Sequence, residues 1–346
     1  MELLFKLMDA LGPSGFEHEV RNIIRKEIKP YVDECYADKF GNLIARRKGK
    51  GQKIMLAAHM DEIGLMAQQV KENGRIFFVA LGGIEPLTLI GEQVHIIGDK
   101  GIIRGIITIE DIHADLELKK LPDMKDLYVD TGLSKSQLHA LGVYMGAFIV
   151  PYNDAIYLGS KEIISGKACD DRIGCYSLIE LAKRLHKQKH MKDDIYYVFT
   201  VQEEVGLYGA GTSVYKVDPD WGIAVETTSC EDFDELYPKR TLGGGPTLIL
   251  KDAELISHKP LNDYIRKIAK DNKIPLQLRV EEAGTTDATK ITMNKGGIPS
   301  TVLSVAVRNL HSTVSIASIH DIENQIKILE HLLKNPPSTS IISGYQ

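Results

Sequence analysis

With 346 residues, 43% hydrophobic and 26% charged, the chain has the make-up of a soluble globular protein of about two domains, which excludes a disordered or fibrous chain. A net charge of −5 excludes nucleic acid as the main partner, because phosphate binding needs a concentrated basic surface. The N-terminus has no basic n-region, no run reaches the roughly 18 apolar residues of a membrane span, and Cys35, Cys169, Cys175 and Cys230 lack C-x-x-C spacing. These features predict a cytoplasmic protein with reduced thiols and no membrane partner.

In chain order, MELLFKLMDALGPSG spaces its apolar residues for an amphipathic helix and ends in a turn over Gly12, Pro13, Ser14 and Gly15. A second helix reaches about Pro30, with Val20, Ile23, Ile24 and Ile28 on one face. CYADKFGNLIARRKGKGQKIMLAAH reads as two or three strands, the last buried and ending on His59. From about residue 70 to 160, short β-type runs such as VHIIG, GIIRGIITI, LYVDTG and YMGAFIV recur between glycines, with one helical interruption, LSKSQLHAL. That texture predicts a small β-barrel inserted between two parts of another domain, 1–69 and 161–346.

After residue 160, strands and helices alternate, as in an α/β domain with a mixed, mostly parallel sheet flanked by helices. Helices are expected near 172–187, at 260–272 with Pro260 near its start, and from Ser318, where Asp321 completes a capping-box pattern. The tail KNPPSTSIISGYQ reads as a surface segment.

Four of the strand-like runs end on metal-type ligands. IMLAAHMD carries His59 and Asp61, YYVFTVQEE carries Glu203 and Glu204, WGIAVE carries Glu226, and VLSVAVRNLH carries His311. Ligands of open α/β sheets bind outside the carboxyl ends of the strands, where loops converge on a rigid support. Asp170, at a helix entrance in GKACDDRIG, is a fifth candidate ligand.

Two divalent ions need about six to eight donor atoms, including a bridging group and a position left for water or substrate. His59, Asp170, Glu204, Glu226 and His311 supply that set, with Asp170 bridging. Asp61 is placed to accept the other ring N–H of His59. Successive side chains at a strand end diverge, so one of Glu203 and Glu204 binds metal while the other faces substrate as a general base.

His113, His139, His186, His190, His258 and His320 lack such company and read as structural or surface residues. Cys169 reads as a buried structural thiol rather than a nucleophile.

At LAAHMDEIG, KACDDRIG, VQEEVGLYGAG, AGTTDAT and VRNLHS the chain resembles the tetrahedral (TET) aminopeptidase family, also called glutamyl-aminopeptidase or endoglucanase-M-like proteins. The resemblance covers nearly the whole chain. It implies two divalent metal ions per subunit, zinc or cobalt, one held by His59 and Glu226 and the other by Glu204 and His311, with Asp170 as bridge. It further implies Glu203 as the general base acting on a metal-bridging water, Asp61 in an orienting role, and a 70–160 insert used for dimerisation.

The implied activity is release of N-terminal residues from short peptides inside a homo-oligomer, a hollow tetrahedral dodecamer built from dimers. Many members have Asp where this chain has Glu226, and in related di-zinc peptidases Glu there accompanies carboxypeptidase or dipeptidase activity. A di-metal carboxypeptidase, dipeptidase or N-acyl amidohydrolase is therefore the alternative. The polar Thr285, Thr286 and Asp287 are expected in the wall of the substrate pocket.

Overall fold

Alternate residues of a strand face opposite sides of a sheet, so a strand covered on both sides must be apolar almost throughout. Lys53–His59 and Asp194–Thr200 are apolar over most of their length, Trp221–Ser229 and Ser300–Arg308 mix Ser and Thr with their apolar residues, and all four are buried along nearly their whole length. In the computed structural model, which describes residues 1–110, 121–188, 190–233 and 240–344, these four runs are the parallel centre of a large mixed sheet. Their order across the sheet is Asp194–Thr200, Lys53–His59, Trp221–Ser229, Ser300–Arg308. Leu43–Arg47 and then Glu34–Ala37 extend one side antiparallel. Ser315–Ser318, Ile163–Gly166 and Ile156–Tyr157 extend the other.

The two faces of this sheet take different partners. Ile54, Leu56, Ala58, Ile195, Tyr197 and Phe199 pack against the helices His18–Ile28, Cys169–Leu185 and Ile319–Lys334. Their neighbours Met55, Ala57, Tyr196 and Val198 pack on the other face against Tyr208–Val217 and Asp287–Thr292. Each fully buried aliphatic side chain stabilises such a core by roughly 1.5–3 kcal/mol. The consequence for function is positional: the carboxyl ends of all four central strands open on the same edge.

The strands Gly64–Val70, Ile76–Leu81, Leu127–Asp130, Gly101–Ile109, Gln93–Gly98 and Phe148–Pro151 follow one another around a closed barrel. Its core, including Leu65, Ile76, Phe78, Val94, Ile96, Val129 and Ile149, is separate from the cores of the sheet. The one helical run expected there is Lys135–Ala140, started by a capping box between Ser134 and Gln137. The barrel strands thus run from Gly64 to Pro151, and Ile156–Tyr157 already lies at the edge of the large sheet. His113 falls outside the described residues.

Two local expectations are corrected. Ser318 makes no side-chain cap, and Asp321 does not reach back to it, because its buried carboxylate accepts the backbone N–H groups of Gly243 at 2.8 Å and Gly245 at 2.7 Å. A carboxylate already shared between two loop amides is not available to close a capping box. Nor is the tail wholly superficial: Ser338 precedes a short helix, Thr339–Ile342, whose Ile342 joins the main core.

The antiparallel edge is tied down by a two-pronged ion pair. Arg46 donates from Nε and Nη2 to the two oxygens of Asp194, both at 2.8 Å. Burial would raise the Asp194 pKa, but the Arg46 guanidinium outweighs it and holds the carboxyl below its usual range. The pair's contribution is therefore complete above the ordinary Asp value near about 3.9 and is lost as pH falls through the lower folded value. Because Arg46 is partly exposed, Asp194→Asn should cost about 1–2 kcal/mol at pH 7. Urea denaturation of the two proteins at pH 7 and near pH 3 should show that difference shrinking in acid, and an undiminished difference would refute the assignment.

Candidate metal centre

The carboxyl edge of the sheet gathers the predicted residues into one cluster. His59 is the last residue of its strand and Glu226 lies inside Trp221–Ser229. Glu203 and Glu204 follow Asp194–Thr200 by three and four residues, and His311 follows Ser300–Arg308 by three. Asp170 arrives from the entrance of Cys169–Leu185, where it and Asp171 depart from helical geometry before the regular turns begin. Asp171, not Asp170, serves the helix, accepting the N–H of Gly174 at 2.8 Å. That leaves Asp170 free to face the cluster.

Two overlapping half-sites result. His59 Nε2 lies 3.1 Å from Asp170 Oδ1 and 3.7 Å from Glu226 Oε1. His311 Nε2 lies 3.2 Å from Asp170 Oδ2 and 3.6 Å from Glu204 Oε1. Within each trio the donor atoms all fall within 4.8 Å of one another. Asp170 belongs to both, one oxygen toward each imidazole. Glu203 belongs to neither trio, although its Oε2 is 3.9 Å from His59 Nε2 and it lines the cavity.

The cluster concentrates dehydrated charge. Burial, together with neighbouring carboxylates, pushes Glu203 and Glu226 far above the usual carboxylate range and Glu204 up to about 7. Burial alone would depress both imidazoles, but the surrounding carboxylates hold His59 well above its usual value and His311 up to about 9. Glu204 Oε1 and Glu226 Oε1 are buried without a hydrogen-bond partner. Several dehydrated carboxylates with orphaned oxygens, grouped around two imidazoles, are unfavourable unless a cation neutralises them. Oxygen and imidazole donors in this proportion suit divalent zinc-type ions. Glu226 accepts the N–H of Thr227 on Oε2 at 3.1 Å, which leaves Oε1 toward His59.

Asp61 does more than the spacing implied. His59 Nδ1 is 3.0 Å from the backbone carbonyl of Asp61 and 3.5 Å from its carboxylate, so the carbonyl is the nearer acceptor. The carboxylate instead accepts the N–H groups of Glu203 at 3.0 Å and Glu204 at 3.2 Å, and the hydroxyl of Ser14 at 2.6 Å. It anchors the turn that points the two glutamates in different directions. Beside it, buried Glu62 accepts from Gly12 N, Lys167 Nζ and Arg172 Nη2, and Arg172 also donates to the carbonyls of Met60 and Leu7. This ion cluster ties the N-terminal turn, the His59 loop and the Asp170 helix together. Neither Ser14 nor the Glu62 group has a local signature in sequence.

A cavity of about 400 Å³ opens over the cluster, a size suited to the end of a peptide. Thr285 and Thr286 line it, as expected, with Asp252, Arg279 and Glu281. Asp287 does not line it. It lies buried behind the wall, accepting the Thr200 hydroxyl at 2.5 Å, because Thr286 caps the helix that starts at Asp287 and turns that residue inward.

Among the remaining candidates, His139 stacks on Tyr144 and His186 meets Tyr31 edge-on. Cys169 is buried, with Sγ toward the carbonyls of Gly166 and Ser315, and its thiol is pushed up by burial. Among the described residues no helix is long and apolar enough to cross a membrane.

Comparison with known proteins bears on this geometry. The model of the M42 glutamyl aminopeptidase family matches residues 41–328. A lysyl aminopeptidase of Pyrococcus furiosus is 34% identical over 342 residues, covering 96% of each chain. The solved TET aminopeptidase from the marine sediment archaeon Thaumarchaeota archaeon SCGC AB-539-E09 is 35% identical, with a TM-score of 0.95 over 100% of this chain and 99% of its own. The TET1 peptidase of Pyrococcus horikoshii, described as assembling into a tetrahedron or a large octahedral shell, is 32% identical, with a TM-score of 0.87 over 96% and 98% of the two chains.

Proposed function

The chain belongs to the M42 glutamyl aminopeptidase family and is a metal-dependent peptide-bond hydrolase of the aminopeptidase type, and from that premise we propose how its residues divide the work. His59, Glu226 and Asp170 would hold one divalent ion, and Asp170, Glu204 and His311 a second. Zinc and cobalt are the ions proposed. Bound there, the pair would supply Lewis acidity for the scissile carbonyl and lower the pKa of an attacking water. Glu203, outside both trios, would take a proton from the attacking water and return it to the leaving amine. Asp61 keeps Glu203 and Glu204 apart by holding both of their amides.

The observation that carries this reading is the sharing of Asp170 between two imidazoles, with a fourth carboxylate, Glu203, left outside both trios. The substrate is the unblocked N-terminus of a short peptide, in keeping with the cavity size and the relatives' names. Hydrolysis of an aminoacyl-anilide should exceed that of an N-acyl amino acid, vanish with chelator and return with added zinc or cobalt. Full activity in metal-stripped protein, or a preference for the N-acyl substrate, would reject the reading.

Assembly is proposed through the barrel. Val79, Ile102 and Ile106 on its strands are about half exposed, more apolar surface than a small domain gains by leaving in water. The tetrahedral assembly named for a relative supports a homo-oligomer of dimers, a dodecamer. Light scattering should therefore report a mass many times 38.5 kDa, and a monomer at micromolar concentration would overturn this part alone. The four unpaired cysteines fit a reducing, cytoplasmic setting.

A further inference from the structure

The barrel reaches the candidate metal centre at two glycines. Its strand Ile76–Leu81 ends beside the cluster, and Gly83 lines the cavity. A Cβ on Gly82 would lie 2.9 Å from Ile63 Cγ2 and 3.1 Å from Glu204 Oε2, and one on Gly83 would lie 3.1 Å from His311 Nδ1. These three contacts are tighter than side chains ordinarily make, so each glycine lets backbone approach a proposed ligand.

The two positions differ in a useful way. Gly82 has φ +91°, a conformation that by itself favours glycine. Gly83 has no positive φ, so its backbone would tolerate a side chain, and it is the His311 ring that would have to give way to one. The need for glycine at 83 is therefore a need of the site.

His311 requires such support. It sits past its strand with φ +59°, two residues after Asn309 with φ +54°, in a loop whose residues are only half buried. Its Nε2 faces Asp170 and Glu204, and its other nitrogen faces Gly83. The Gly83 backbone therefore lies close to the Nδ1 edge of the ring. A ring packed at that edge keeps Nε2 turned toward Asp170 and Glu204.

We propose that the barrel loop Gly82–Gly83 is a positioning element of the metal centre, fixing His311 and Glu204 and thereby the second half-site, while the His59 and Glu226 half-site does without it. The inference rests on the two-ion reading above. It gives the barrel a part in the chemistry besides any part in assembly.

The test uses the full-length protein. Metal-stripped wild type, Gly83→Ala and a control, Gly296→Ala, which has open space and no positive φ, are titrated with zinc and with cobalt by equilibrium dialysis. Gly83→Ala should weaken one of the two ions by about 10- to 100-fold, the range for groups that orient a ligand, and leave the other within about 2-fold. Melting temperatures in chelator should match. In a His311→Ala background, where the ring is gone, Gly83→Ala should cost nothing further, which keeps the test decisive even if the single variant folds poorly.

A Gly83→Ala protein that binds both ions as tightly as wild type, or an equal loss in the His311→Ala background, overturns this inference alone. A wild type that binds no divalent ion overturns the two-ion reading and this inference with it.

Discussion

Glu203→Gln should leave both ions bound and lower kcat by about 10²–10⁴-fold, the range for a general base, with KM little changed. The substitution is nearly isosteric and preserves the Glu203 N–H bond to Asp61 Oδ1, so the turn that aims the side chain is kept. What is lost is one basic oxygen over the cavity. Glu204→Gln should behave differently, because Glu204 Oε1 faces His311 at 3.6 Å in the second trio. It should lower occupancy of one ion, with activity falling in parallel and recovering in part at high metal concentration. Metal analysis of the two purified variants beside steady-state kinetics separates the cases, and the reverse pattern would exchange the two roles.

The α/β frame and the main candidate residues were readable because buried parallel strands carry a continuous apolar signal that stops where the chain turns. LAAHMD and VFTVQEE end such a signal on ligand types, AVE breaks it at Glu226 within its strand, and the sheet brings these positions to one edge. What could not be read has a common cause. The partners of Asp61 are the amides of Glu203 and Glu204, 142 and 143 residues away, and backbone amides have no residue identity to recognise.

The same holds for Asp321, whose carboxylate answers two glycine amides instead of its own helix. Asp287 follows two polar residues that do line the cavity, and only the start of a helix at that point turns it away. The 70–160 segment holds none of the cluster's ligand-type side chains, yet Gly82 and Gly83 lie beside Glu204 and His311, a close approach that periodicity and composition do not register.

Asp170→Ala should empty both half-sites at once, and this is the sharpest expectation for metal content. A shared carboxylate with one oxygen 3.1 Å from His59 Nε2 and the other 3.2 Å from His311 Nε2 is the one side chain common to both trios. Removing His311 or Glu226 takes a donor from a single trio. Wild type should therefore retain about two ions per chain after gel filtration, His311→Ala and Glu226→Ala about one, and Asp170→Ala close to none. Each half-site keeps only two of its three donors without Asp170, and the one carboxylate that would screen two neighbouring cations from each other is gone. Peptidase activity should be lost with the ions, and excess zinc or cobalt should restore the single-site variants before it restores Asp170→Ala. Atomic emission analysis of the four proteins decides the matter: an Asp170→Ala protein that keeps one ion would show that the carboxylate serves a single half-site, and the two-ion arrangement would have to be redrawn around Glu203.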